Sequence, residues 1–98
     1  MTSRHWQRDR QERTRIIGKI GTGKIVKTTI VDRGHPNGPE LHKITSTGLI
    51  MIYNQWTGKM ITILIARPAQ IQRYFKQGQA PAYIMELARE HERMGYNK

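Results

Sequence analysis

The chain contains no cysteine in its 98 residues. That excludes disulfide staples and cysteine-held metal, and it suits a reducing compartment. Acidic residues are scarce, with 7 Asp and Glu against 17 Lys and Arg. Aromatic residues make up only 7% and include a single phenylalanine. Long apolar runs are missing as well. The longest, Leu49–Tyr53 and Met60–Ala66, fall far short of the roughly 20 residues a membrane helix needs. The amino terminus, Met1 to Arg8, lacks the apolar core of a signal peptide. These absences lead to the expectation of one domain over residues 1–98, cytoplasmic and with no membrane partner.

What is present is positive charge. A formal net charge of +10 in so small a chain repels itself, so it calls for a polyanionic partner. Nucleic acid is the leading class, because Lys and Arg that neutralise phosphates release counterions and drive association. An acidic protein is the other class the imbalance allows.

The residue pattern places a helix from Thr2 to about Ile20, stopped by Gly18, Gly21 and Gly23. At 100° per residue Trp6, Ile16, Ile17 and Ile20 share one side, while Arg4, Arg8, Arg15 and Lys19 form a basic stripe on the other. Arg13 falls on the apolar side with Asp9 one turn before it. That geometry fits either a rim salt bridge or a cation reaching for phosphate. The β-branched stretch Lys24–Val31, then Leu41–Thr47, Gly48–Asn54 and Lys59–Ala66, reads as four strands. Short turns at Thr47-Gly48 and Gln55–Gly58 make neighbours antiparallel. Pro68 opens a short helix ending near Lys76, and Pro81 opens another ending at Gly95. The fold class expected is α+β: an N-terminal helix packed on a four-stranded antiparallel sheet, then one or two short C-terminal helices, with one sheet face open.

Gly18-Lys19-Ile20-Gly21-Thr22-Gly23-Lys24 nearly spells a phosphate-binding P-loop. It runs from helix to strand, however, where a P-loop runs from strand to helix, and Ile25 replaces the Ser or Thr. The glycines are a helix stop. Among the histidines His5, His35, His42 and His91, none pairs at metal-ligand spacing, so neither a metal nor a cofactor is expected. His91 sits in an apolar helical register and reads as a packing residue. Tyr53, Trp56, Tyr74 and Phe75 interleave with Lys59, Arg67 and Arg73, a mixture suited to stacking bases and holding backbone.

Three stretches resemble the RelE-like toxins and the wider barnase–EndoU–colicin–RelE group of small ribonucleases. They are His5 with Arg8 and Glu12-Arg13…Ile16, the segment Thr57-Gly58-Lys59-Met60-Ile61-Thr62, and the strand Ile61–Ile65. The resemblance implies metal-independent RNA cleavage by attack of a 2′-hydroxyl. In it His5 is the acid–base residue, Arg13 steadies phosphate, and Tyr53 and Thr62 orient or donate. The basic residues Arg4, Arg8, Arg15, Lys19, Lys24 and Lys27 would supply the electrostatic grip. The chain departs from the group in ending on the mixed-charge helix Glu86–Arg93. A toxin of this kind implies an acidic antitoxin. The alternatives are a non-catalytic DNA- or RNA-binding accessory protein of phage or mobile-element type, and an interaction module for an acidic protein.

Overall fold

The computed structural model describes the backbone of residues 2–96 and side chains from residue 10 to residue 96. Helix α1 spans Thr2–Ile20, and four strands follow: β1 Ile25–Val31, β2 Glu40–Thr45, β3 Leu49–Asn54 and β4 Met60–Ile65. Two helices close the chain, α2 Pro68–Arg73 and α3 Ala82–Arg93. This is the α+β arrangement expected from the sequence. All neighbouring strands are antiparallel and the sheet order is β1-β2-β3-β4, so every strand pairs with its neighbour in the chain.

The strand boundaries follow from local chemistry. Gly48 adopts φ +85° to close the β2–β3 turn, its amide donating to the Thr45 carbonyl at 3.1 Å. Thr45 adds a side-chain brace, its hydroxyl accepting from the Leu49 amide at 3.0 Å. Pro68 takes the first turn of α2, where its missing amide costs nothing, and the Gln70 carboxamide accepts from the Arg67 amide at 2.9 Å. The helix α1 to β1 connection is a helix stop. Gly21 lies at positive φ, and the Thr47 hydroxyl donates to its carbonyl at 2.6 Å.

Strand alternation sorts the side chains onto two faces. One face carries Ile44, Ile50 and Ile52, which pack under Ile71 of α2 and Ile84, Met85 and Ala88 of α3. Each fully buried isoleucine here contributes about 1.5–3 kcal/mol of hydrophobic stabilisation. The opposite face holds a smaller cluster at one corner, where Ile16 of α1 meets Leu49 and Ile65. Beyond that corner the second face is largely open: Val26 and Ile30 of β1 and Ile61 of β4 are exposed. Among the described residues no helix is long and apolar enough to cross a membrane.

Candidate functional site

At the start of β2, Glu40 and His42 lie two residues apart and therefore on the same face. That face lies under α2, whose C-cap is Tyr74. His42 is buried and engaged through both ring nitrogens: Nε2 lies 2.9 Å from Glu40 Oε1 and Nδ1 lies 2.6 Å from the Tyr74 hydroxyl. A carboxylate can only accept, so Nε2 carries a proton, and in the neutral imidazole Nδ1 accepts from the phenol. The result is a hydrogen-bonded chain, Glu40–His42–Tyr74, running from the sheet to the helix end. Its outer members are only half-buried, while the imidazole between them is shielded from solvent.

Cations surround both ends. The Arg33 guanidinium is 3.6 Å from Glu40 Oε1 and largely exposed. Burial pushes the Tyr74 phenol above its ordinary pKa, against the opposing pull of Arg33 and Arg73. Tyr74 is therefore a hydroxyl donor at neutral pH. Arg33 rides on a loop that is tied down at several points. Asp32 accepts from the Gly34 amide at 3.0 Å, and Asn54 Nδ2 donates to the Asn37 carbonyl at 2.8 Å. Asn54 Oδ1 accepts from the amides of Trp56 and Thr57, each at 2.9 Å. Gly38, at φ +100°, lies so close beneath the Trp56 ring that a Cβ there would approach the indole to 2.5 Å. The indole is nonetheless 69% exposed, leaving an aromatic surface at the same end of the sheet as Glu40.

Of the residues expected to form the site from sequence, Tyr53 and Thr62 do not come together. Side chains of His5, Arg4 and Arg8 lie outside the described residues. Arg13 is exposed, and among the described residues of α1 only Ile16 is buried. Tyr53 and Thr62 stand on opposite faces. Thr62 pairs with Ile52 and so shares the row of His42, two strands away at about 10 Å. Tyr53 is on the other side, with the Lys43 ammonium 4.9 Å from its ring centre. No single phosphate can meet both.

The expected basic surface is divided in the same way. Arg15 and Lys19 are exposed on α1, with Arg15 paired to Glu12 at 2.5 Å. Lys24 is exposed in the turn before β1, and its amide donates to the Ser46 hydroxyl at 2.9 Å. Lys27 belongs to the helix-covered side, 5.4 Å from the centre of the Phe75 ring. Among the described residues no group of three His, Cys, Asp or Glu side chains is placed to hold a metal ion. Comparison with known protein families, with curated proteins and with solved structures finds no match.

Proposed function

We propose that this chain is a small basic nucleic-acid-binding protein that prefers RNA and cleaves it by side-chain acid–base chemistry at Glu40–His42–Tyr74. The observation that carries this reading is the buried imidazole held between a carboxylate and a phenol, with Arg33 beside the carboxylate. The carboxylate can accept a proton and the phenol can donate one, and the imidazole between them fixes the orientation of both. The net charge of +10 supports the choice of a polyanionic substrate.

In the proposed reaction the 2′-oxygen attacks the adjacent phosphorus and passes its proton to the Glu40 carboxylate. The P–O5′ bond breaks, and the departing oxygen takes the Tyr74 phenolic proton. Solvent then returns a proton to the Tyr74 phenolate and takes one from Glu40, which restores the starting state. His42 keeps its Nε2 proton and holds both groups in place. Products are a 2′,3′-cyclic phosphate and a free 5′-hydroxyl. Arg33 and Arg73 offset the charge that accumulates on the phosphoryl oxygens.

The test is incubation of the purified protein with total RNA in EDTA, resolved on a denaturing gel. Native protein is expected to give discrete fragments ending in cyclic phosphate. Tyr74→Phe retains the ring packing and is expected to lose about 100-fold or more in rate while still binding RNA. Intact RNA with the native protein overturns the cleavage reading. Full activity in Tyr74→Phe and Glu40→Gln overturns this site.

A further inference from the structure

Behind the proposed site, α2, α3 and the loop joining them enclose a cleft of about 630 Å³. Its apolar wall comes from Phe75 and the buried Met85, its polar wall from the carboxamides of Gln72 and Gln77, and its charged rim from Lys76 and Arg89. Glu86 holds the Arg89 guanidinium at 3.0 Å. The Lys27 ammonium near the Phe75 ring adds a further positive charge on the sheet side.

We propose that this cleft is a nucleobase subsite that seats the base of a nucleotide flanking the cleaved phosphate. The inference rests on the RNA reading above. Four features converge on that ligand class. The volume lies within the 300–1,000 Å³ range of small-molecule sites. Phe75 and Met85 offer a surface for one flat apolar ring, and stacking on such a surface tolerates any base. The two carboxamides each present a donor and an acceptor, which is the chemistry that reads a base edge. The rim cations match the phosphate that accompanies the base.

Continuity with the proposed site is built into the chain. Tyr74 and Phe75 are consecutive, with α-carbons about 3.8 Å apart. Tyr74 reaches His42 while Phe75 lines the cleft. Adjacent residues at one helix end thus address two parts of a single nucleotide step. The outcome is a preference for certain bases, set by Gln72 and Gln77, at the position next to cleavage.

The experiment is an amide NMR titration of the full chain with each of the four nucleoside 3′-monophosphates, with inorganic phosphate as control. Saturable shifts at residues 75–78 and 85–89 with nucleotide, absent with phosphate alone, are expected. Phe75→Leu should weaken nucleotide affinity about tenfold. Gln77→Ala, an exposed change that leaves the core untouched, should alter the ranking among the four bases. Shifts produced equally by phosphate overturn the subsite, as does unchanged affinity and ranking in both variants. Cleft shifts beside intact RNA would support the subsite while removing the cleavage reading. Cleaved RNA with no cleft shifts would remove the subsite alone.

Discussion

Helices α1 and α3 have the wrong lengths for their roles if length is taken as a measure of anchorage. Helix α1 runs for 19 residues, yet Ile16 is its one buried side chain among those described. Helix α3 has 12 residues and buries Ile84, Met85, Ala88 and His91. The short helix presents an apolar stripe at i, i+1, i+4 and i+7 along its whole length, while the long one, among its described residues, buries a side chain only near its last turn. What holds a helix in place is the area it buries. Ahead of Ile16, the exposed side chains of α1 include Arg10, Arg13 and Arg15.

Truncating the two anchors should break this contrast most visibly. Ile84→Ala is expected to cost about 2–5 kcal/mol in urea unfolding, as a fully buried side chain leaves a cavity in the main core. Ile16→Ala sits at the edge of a small cluster that can relax, so about 2 kcal/mol or less is expected. Equal losses would show that α1 is as firmly built in as α3.

Acid should attack the α3 side selectively. His91 is buried, with Nδ1 lacking a hydrogen-bond partner, and its ring lies against Gly48 and within 6.1 Å of the Tyr96 ring centre. Burial holds its pKa below the ordinary value of 6.5, with Glu90 pulling weakly the other way. The unfolded chain therefore takes up the proton first as pH falls through about 6.5, and stability drops until the folded state also titrates. A series of melting temperatures from pH 7 to pH 5 should fall, and His91→Gln should flatten this part of the slope. An unchanged slope in the variant would remove His91 as the cause.

The smallest effect belongs to the exposed side chain of Arg13 on α1. Arg13→Ala should change stability by no more than about 0.5 kcal/mol. If Arg13 touches RNA, the same change should reduce the slope of log affinity against log salt by about 0.7 for a single strand. An unaltered slope would place the nucleic acid elsewhere on the molecule.

The contrast between the two helices also explains what the sequence made legible. The four strands were readable because β-branched runs alternate between glycine-containing turns, and the observed strands lie within a residue or two of those expected. The helical wheel puts Arg13 on the side of the apolar residues, but a wheel does not say where along its length a helix packs, and Arg13 is exposed. In the candidate site, one missed signal was available: Glu40 and His42, two apart in a strand, must share a face. Tyr74 was not available in that way. It reaches His42 across 32 positions of chain only because Ile71 seats α2 over the sheet, and no local pattern encodes that contact.

The nearest-neighbour order of the strands bears on how the molecule comes into being. Each hairpin closes over a short loop, so the entropy lost before pairing begins is small. A sheet assembled from such local steps has low contact order for a β-rich chain and should fold quickly. The strands can pair in the order in which they are synthesised, β1 with β2, then β3, then β4. Helices α2 and α3 arrive last, and with them Tyr74. The hydrogen-bonded chain through His42 is therefore completed only when the C-terminal quarter docks, so a partly made chain carries the basic surface of α1 without an assembled Glu40–His42–Tyr74 cluster.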